Sequence, residues 1–338
     1  MLFTEEQCEL AKSERAWLAK HDPVEFLRHS ASDGVSEADP RALAHIGTAG
    51  IAEILTTDAG GSQADLAVLS SEHGRAASAV PVAEVALAGW VLELAGLADR
   101  LAEHVAGNYM TLTTAAYRER VTGPRIVGAS APFVSVPSAD RIVGVITDDD
   151  VLYVVPDDGG VTVSPIGTID LTRPWARAQF DVAVSAVESA PLPPGTAARY
   201  RDAAAVHRAF DSVGGAAQLL DRTVEYARQR EQFGAVIGSF QAVKHHCASM
   251  AVFVAAAEAT LAAAVDALAA GDAERRRPAD AAIAYAAMAS NSVAGLAQQV
   301  HGGIGFTWEH DLHLYLRRIK VNGNIDGTVR DRRRALVR

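Results

Sequence analysis

A regular apolar stripe runs through the chain before residue 230. It comprises Val206, Phe210, Val213, Ala217, Leu220, Val224 and Ala227. Spacings of four and three place these side chains on one face of an amphipathic helix. A second long helical pattern, rich in alanine, begins at Gln241. The connecting stretch RQREQFGAVIGSFQ breaks the pattern at Gly234 and Gly238, so we expect a short link between two helices there.

The C-terminal part predicts an antiparallel helical bundle. The expected helices cover residues 199–230, 241–271, 278–301 and 308–320, and Pro278 suits a first helical turn. Short connections between long helices are typical of such bundles. The proline-rich stretch from Pro191 to Gly195 predicts a linker before them. Gly214 and Gly215 lie inside the first helix and indicate close packing against another helix.

The N-terminal part also predicts helices. Thr4 followed by two glutamates suits a helix start. Further helical patterns cover residues 41–55, 62–77 and 81–106. We therefore expect an N-terminal helical domain over residues 1–113.

The middle of the chain changes character. Short β-type runs occur at Ile142–Ile146, Val151–Val155 and Val161–Val163, separated by aspartate and glycine clusters. These runs predict a small β domain over residues 114–188, with the helical bundle following over residues 189–338. The predicted fold class is mainly α with a small β domain.

Composition excludes several classes of function. A net charge of -10 argues against a nucleic-acid partner. Two cysteines provide no disulfide framework and favour a reducing, cytoplasmic location. The apolar run over residues 248–271 carries Glu258 and Asp266, which favours a buried helix over a membrane span.

No metal site is predicted. His245, His246 and Cys247 are adjacent in sequence, and neighbours on a helix point about 100° apart, which makes a poor chelate. His310 and His313 share a helix face without an evident third ligand.

The link between the two long helices has residue types that suit a nucleotide. Arg230 offers a fork of donors for an anion, Gln232 can donate and accept hydrogen bonds, and Phe233 offers a flat face to a ring. The alternative is an ordinary connection between helices with a solvated basic end.

Two segments resemble a known family. RQREQFG with the following IGSFQ resembles the Arg-x-x-Phe-Gly start of the C-terminal domain of flavin-dependent acyl-CoA dehydrogenases. QQVHGGIGFTWEHDLHLYLRRIK, from Gln298 to Lys320, resembles that family's Gln-x-x-Gly-Gly-x-Gly segment. The resemblance covers roughly residues 200–330. It implies a helical N-terminal domain, a reduced β-barrel, a C-terminal four-helix bundle, FAD as cofactor, an acyl-CoA substrate and an electron-transfer flavoprotein as electron acceptor.

The resemblance also implies a set of cofactor-binding residues. They are Arg230, Gln232, Phe233, Ile237, Phe240, Gln241, Gln299, Gly302, Gly303 and Thr328. Adjacent glycines let a backbone approach a phosphate closely and point their N–H groups at it. The alternative for Gly302 and Gly303 is a glycine-rich corner between helices.

A candidate catalytic base is Asp326. It stands where the family has a glutamate in a Tyr-Glu-Gly-Thr segment, but it is one methylene shorter. A misplacement of about 1 Å can cost roughly 100-fold in rate. The alternative is a turn aspartate or a helix N-cap. The family's other base position falls at residues 203–205, which are alanines here, and Asp202 lies out of register.

The family's flavin-ring motifs are missing. Neither a Thr-Glu-Pro-Gly-x-Gly-Ser segment nor a Trp-x-Thr-Asn segment occurs, and residues 111–114 occupy the place of the first without its acidic, proline and glycine residues. The chain therefore resembles the degenerate subunit of heteromeric acyl-CoA dehydrogenases of actinobacterial steroid degradation. This implies a full-length partner subunit, with two copies of each chain. The alternatives are a complete homomeric dehydrogenase using Asp326 as base, and a flavin-free helical assembly protein.

Overall fold

The computed structural model describes residues 4–21, 40–114, 120–122, 125–136, 142–156, 160–270 and 275–337, together with Val24 and Leu27. In these residues the fold is mainly helical with a small β region, as predicted.

Five α-helices lie wholly within the described residues before the strands. They are α1 (Glu5–His21), α2 (Pro40–Thr48), α3 (Gln63–Ala76), α4 (Val82–Leu94) and α5 (Ala98–Val105). The Ser62 side chain accepts a hydrogen bond from the backbone N–H of Asp65, whose carboxylate bonds back to Ser62, so a capping box fixes the start of α3. The expected single helix over residues 81–106 is wrong. It is interrupted after Leu94, where Gly96 has a φ of 68° that ends the first helix.

The second expected helix, over residues 41–55, is also shorter than predicted. α2 ends at Thr48, and after Gly50 with a φ of 67° a single 3-10 turn covers Ile51–Glu53.

Between Thr111 and Pro191 the structure describes nine strands in two sheets. They are β1 (Thr111–Thr114), β2 (Arg120–Thr122), β3 (Arg125–Ala129), β4 (Phe133–Val134), β5 (Val143–Ile146), β6 (Val151–Val155), β7 (Val161–Pro165), β8 (Trp175–Ala183) and β9 (Glu188–Pro191). The first sheet has the order β1-β5-β6-β9, in which only β1 and β5 run parallel. The second has the order β2-β3-β8-β4, with β7 also paired to β8. The described strands form no closed barrel, so the expected reduced barrel is two facing sheets.

A shared apolar core holds the two sheets together. Val145 and Tyr153 of the first sheet cluster with Phe133 and Phe180 of the second. On the other face of the first sheet, Leu152 packs against α4 and against the start of the helix that follows β9. Because strands extend from Thr111 to Pro191, they reach slightly beyond residues 114–188, and the predicted domain boundaries stay a prediction.

The C-terminal bundle begins directly after β9. Its helices are α6 (Thr196–Gln229), α7 (Gln241–Ala269), α8 (Arg276–His301), α9 (Leu312–Ile325) and the short α10 (Val329–Ala335). α6 to α8 match the predicted helices within three residues at each end. α9 starts four residues later and ends five residues later than predicted, and α10 was not predicted.

Close helix packing at Gly214 is confirmed. A Cβ on Gly214 would lie 2.0 Å from the backbone oxygen of Ser71 in α3. A Cβ on Gly74 of α3 would likewise lie 2.0 Å from the backbone oxygen of Asp211. Glycine at both positions therefore lets the backbones of α3 and α6 touch.

α7 departs from the expectation of a buried helix. It is the one helix in the described ranges that is long and apolar enough to span a membrane by length and composition, and 39% of its most apolar window is buried. Its inner side belongs to the bundle core, whereas its outer side is exposed.

Candidate cofactor site

A small hairpin follows α6 and carries the first group of predicted cofactor residues. The N–H of Arg230 still donates to the carbonyl of Tyr226 at 2.8 Å, but its ψ of 123° turns the chain out of the helix. Glu231 and Gln232 then pair antiparallel with residues 235–236. The N–H of Ile237 donates to the carbonyl of Arg230 at 2.7 Å and closes the hairpin. The exposed Arg230 side chain therefore projects from a defined backbone.

Phe233 occupies the tip of this hairpin in an unfavourable backbone conformation. Its φ is 55° and that of Gly234 is 78°, which is the pattern of a type I′ turn. Glycine or asparagine normally occupies such positions, and a bulky residue there costs about 1–3 kcal/mol. The Phe233 side chain is also 94% exposed. An apolar ring held in water by a strained backbone indicates a surface that another molecule covers.

The remaining residues of this group lie beside the tip. The ring of Phe240 meets that of Phe233 edge to face at a centroid distance of 6.3 Å. Gln241 follows as the exposed first residue of α7. A Cβ on Gly238 would lie 2.8 Å from the carbonyl oxygen of Ala227, so glycine lets the link return against α6.

The second group lies at the end of α8. Gln299 is exposed on its last turns, and Gly302 and Gly303 follow, also exposed. Gly302 has a φ of 63° and a ψ of -140°, a conformation open essentially to glycine alone. No atom lies within 4 Å of a Cβ built on either glycine. This backbone is therefore open to an incoming group.

Aromatic stacking places the two groups side by side. Tyr226, one turn before Arg230, stacks on His301, directly before Gly302, at 4.5 Å with an angle of 18° between the rings. His301 also meets His310 edge to face at 4.8 Å. Burial lowers the pKa of His301, which keeps the stacked imidazole neutral. The ends of α6 and α8 thus form one surface.

Thr328 and Asp326 lie near the other end of α8. Arg332, in the helix after Thr328, donates to Asp280 at 2.6 Å and to the carbonyl oxygen of Asp326 at 3.1 Å. Asp280 belongs to the first turns of α8, which rises about 1.5 Å per residue, so roughly 30 Å separates it from Gly302. Within one chain, Thr328 and Asp326 are therefore not part of the surface around Phe233. The Thr328 hydroxyl caps α10 through Asp331.

Asp326 is engaged in an ion pair. Its carboxylate accepts from Arg208 at 2.8 Å, and the Arg208 side chain is largely buried. Arg208 also lies over the ring of Trp175, 5.7 Å from the centroid. Asp326 lies at the C-terminal end of α9 and compensates the charge of a buried guanidinium, and its role as a base stays a prediction. Asp202 is likewise paired, with Arg275 at 3.3 Å.

A buried polar network that the sequence analysis missed fills the space between the second sheet and the bundle. It comprises Asp170, Thr172, Arg173, Asp211, Arg318 and Asn322. Arg318 donates to Asp211 at 2.9 Å and to the hydroxyl of Thr172 at 2.9 Å. Arg173 donates to Asp170 at 2.8 Å and to Asn322 at 2.6 Å. Burial alone would raise the pKa of Asp211, but the charges of Arg318 and Arg173 lower it to about 2. No local pattern in the sequence reveals this network.

Comparison with known proteins identifies the family. The model described as "Acyl-CoA dehydrogenase, C-terminal domain" matches residues 202–337. Acyl-CoA dehydrogenase IpdE2 of Mycobacterium tuberculosis is 36% identical over 271 residues, which cover 77% of this chain and 72% of that protein. The chain belongs to the acyl-CoA dehydrogenase family. The similarity therefore extends well beyond the C-terminal bundle, which contains the two segments that resemble the family.

Solved acyl-CoA dehydrogenase structures share the whole fold. A chain of a variant of the Tcur3481–Tcur3483 steroid ACAD matches with a TM-score of 0.85 and 25% identity, covering 98% of this chain and 97% of that one. A chain of the ChsE4–ChsE5 complex from Mycobacterium tuberculosis matches with a TM-score of 0.82 and 21% identity, covering 99% and 97%. The two facing sheets therefore occupy the place of this family's β domain.

Proposed function

We propose that this chain is one subunit of a heteromeric, flavin-dependent acyl-CoA dehydrogenase, and that it holds the adenosine-diphosphate end of FAD for a full-length partner subunit. The observation that carries the proposal is the strained, 94% exposed Phe233 beside an exposed Arg230 and an open Gly302 backbone.

The residues of this surface fit the nucleotide end of FAD. Arg230 offers paired N–H donors to a diphosphate. The Gly302 N–H donates to the carbonyl of Gln298, but the backbone around Gly302 and Gly303 can approach an anion without a side chain in the way. Gln232 and Gln299 can donate to ribose or adenine and accept from them. Phe233 would cover a flat part of the nucleotide and exclude water from the diphosphate contacts.

The middle of the chain argues against a complete reaction centre here. A site for a flavin ring and a thioester occupies about 300–1,000 Å³. Between the second sheet and the bundle, the buried side chains of Asp170, Arg173, Asp211 and Arg318 are already paired with one another. Asp326 is paired with Arg208. The ring cradle and the catalytic base are therefore assigned to the partner.

FAD, when bound, would accept the hydride from the β-carbon of the acyl-CoA as the partner's base removes the α-proton. This chain's contribution is to bind and orient the cofactor's diphosphate. We place the pair in a cytoplasmic steroid-degradation enzyme with two copies of each chain. The similarity to a chain of the Tcur3481–Tcur3483 steroid ACAD supports a steroid-type substrate. An electron-transfer flavoprotein would reoxidise the flavin.

The first test uses the chain co-expressed with a full-length acyl-CoA dehydrogenase as the partner subunit. Arg230→Ala should leave the complex assembled but release most of its flavin, measured by visible absorbance after gel filtration. Arg228→Ala removes another exposed arginine, two residues earlier near the end of α6, and the complex with this variant should retain its flavin. Equal flavin content in both variants would contradict the assignment.

The second test concerns Asp326. Asp326→Asn should lower thermal stability because Arg208 loses its counter-charge, yet turnover per bound flavin should stay within about threefold, as losing a true acid–base group costs about 100-fold or more. A loss of turnover with flavin still bound would instead support the complete homomeric dehydrogenase. Absence of flavin from every complex would support the flavin-free assembly protein.

A further inference from the structure

His301 is a titratable side chain beside the surface assigned to FAD, and the proposed function gives it no role. It is the last residue of α8, it is buried, and it directly precedes Gly302. Its Nδ1 lies 2.9 Å from the carbonyl oxygen of Ala297. Because a carbonyl oxygen only accepts hydrogen bonds, Nδ1 carries the proton of the neutral ring, and Nε2 is the atom that takes up a second proton.

The helix ends at this surface disfavour an anion. α8 has 26 residues and ends at His301, and the C-terminal end of a helix carries a partial negative charge. The C-terminal end of α6 lies beside it, because Tyr226 stacks on His301. A diphosphate next to Gly302 therefore meets two negative helix ends, and a positive charge in the last helical turn offsets them. His301 is the basic residue in the last turn of α8.

Without an anion, the surroundings of His301 keep its ring neutral. Burial lowers the pKa of the imidazole, and the charges of His310 and Arg222 lower it further, against the opposing effect of the hydrogen bond to a backbone carbonyl. The charged and titratable groups beside the ring are Tyr226 and Arg222 from α6, and His310 with Asp311 from the segment after α8. Asp311 accepts from Arg222 at 2.7 Å, so this carboxylate already compensates an arginine. An incoming anion would supply the counter-charge that a protonated His301 needs.

We propose that His301 couples FAD binding to proton uptake: the diphosphate beside Gly302 draws a proton from solvent onto Nε2 of His301, and the imidazolium then stabilises the diphosphate. This inference rests on the proposed function, because it needs the nucleotide end of FAD at this surface. No covalent bond of FAD is made or broken, and the proton returns to solvent when the flavin leaves.

A negative charge beside His301 stabilises the protonated ring and raises its pKa. Adjacent Cα atoms are about 3.8 Å apart, so a phosphate on the Gly302 backbone lies within about one Debye length of the ring. By reciprocity, the protonated site binds FAD more tightly by the same factor. The affinity for FAD therefore rises as the pH falls through the pKa of His301. Arg230, Gln232 and Gln299 keep their charge state between about pH 5 and about pH 8, so they produce no such dependence.

The test is a titration of the flavin-free, co-expressed complex with FAD between about pH 8 and about pH 5, followed by flavin fluorescence. The wild-type Kd should fall at least about fivefold across this range. His301→Phe keeps an aromatic ring on Tyr226 but has no proton to take up. Its Kd should match that of wild type at the high-pH end and should not change on acidification.

His21→Phe is the matched control. His21 lies at the end of α1, where its Nδ1 is 2.9 Å from the carbonyl oxygen of Trp17, four residues earlier, and its ring stacks on Trp17 at a centroid distance of 4.7 Å. His301 has the same relation to the carbonyl of Ala297, but α1 contributes no residue to the surface assigned to FAD. The His21→Phe complex should therefore keep the pH dependence of wild type.

Histidine-labelled wild type gives a second measurement, which needs no variant. The pKa of His301, followed by NMR, should be higher in the FAD-loaded complex than in the flavin-free complex. An unchanged pKa would overturn the coupling, even where His301→Phe fails to assemble.

The outcomes separate this inference from the proposed function. A complex that binds FAD with the same Kd at every pH would overturn the coupling and leave the proposed function standing. A pH dependence that persists in His301→Phe would belong to another histidine, such as His310 or His245, and would also overturn it. A complex that takes up no FAD at any pH would contradict the proposed function itself, and the coupling with it.

Discussion

At the scale of single residues, Phe233 is the clearest sign of function. Its positive φ and its exposure both reduce the stability of the isolated chain. Arg230 and Gly302 are also exposed, and the Tyr226–His301 stack brings their two segments together. Asp326 differs from these residues because its carboxylate has an ion-pair partner, Arg208, within the chain.

Replacing Phe233 should separate stability from function. Phe233→Asn should raise the free energy of unfolding of the lone chain by about 1 kcal/mol, because asparagine tolerates a positive φ. The same variant should lower flavin retention in the complex. Phe306→Asn also removes an exposed ring, from a residue without a positive φ, and should change stability by less than about 0.5 kcal/mol. Urea titration measures the free energy of unfolding of both variants. A Phe233→Asn chain less stable than wild type would contradict the inference that the Phe233 backbone is strained.

Buried His207 gives the chain a pH dependence. Burial lowers the pKa of its imidazole from 6.5 to about 3, and its Nε2 forms a hydrogen bond with the Oε1 of Gln63 at 2.7 Å. The unfolded chain binds this proton near pH 6.5 and the folded chain only near pH 3, so stability falls as pH decreases between these values, by up to about 1.4 kcal/mol per pH unit. His207→Gln should flatten this dependence. Parallel curves of unfolding free energy against pH for wild type and variant would contradict the burial of a neutral imidazole.

At the scale of elements, α6 organises the molecule. This helix of 34 residues packs its start against the first sheet, contacts α3 at Gly214 and ends at the hairpin that carries Phe233. The rigid crossing with α3 therefore determines where the hairpin stands.

The crossing can be tested by adding one methyl group. Gly214→Ala should cost about 1–3 kcal/mol or more, because its Cβ would overlap the Ser71 backbone oxygen. Gly295→Ala, on α8, meets no atom within 4 Å and should instead stabilise by about 0.5–1 kcal/mol. Thermal or urea unfolding distinguishes them, and equal effects would contradict the close contact.

Sequence patterns predicted elements better than the contacts between them. The long apolar stripe of α6 and the helical pattern over residues 62–77 were sufficient to predict α6 and α3. β8 was missed although its buried and exposed residues alternate, a period-two signal that was present in the sequence. The break at Gly96 depends on one backbone conformation, and the polar network joins residues more than 100 positions apart, so neither follows from local periodicity.

At the scale of the whole molecule, the buried polar network connects the β region to the bundle. Asp170 and Arg173 come from the segment before β8, Asp211 from α6, and Arg318 from α9. The pairs Arg173–Asp170 and Arg318–Asp211 are buried, so their charges are compensated within the chain.

Breaking this network should lower the free energy of unfolding by more than the loss of a surface ion pair does. Arg318→Leu leaves the buried Asp211 without its main partner and should cost about 3–5 kcal/mol. Arg100→Leu removes a partly exposed arginine paired with Glu188 and should cost less than about 1 kcal/mol. Similar losses for both variants, measured by urea unfolding, would show that the network is not a stabilising connection.

The most direct measurement of the central claim is FAD binding by the purified lone chain compared with the co-purified complex. We expect stoichiometric flavin in the complex and none retained by the lone chain after gel filtration, with turnover of acyl-CoA only in the complex. A lone chain that retains FAD and oxidises an acyl-CoA would contradict the division of the cofactor site between two subunits.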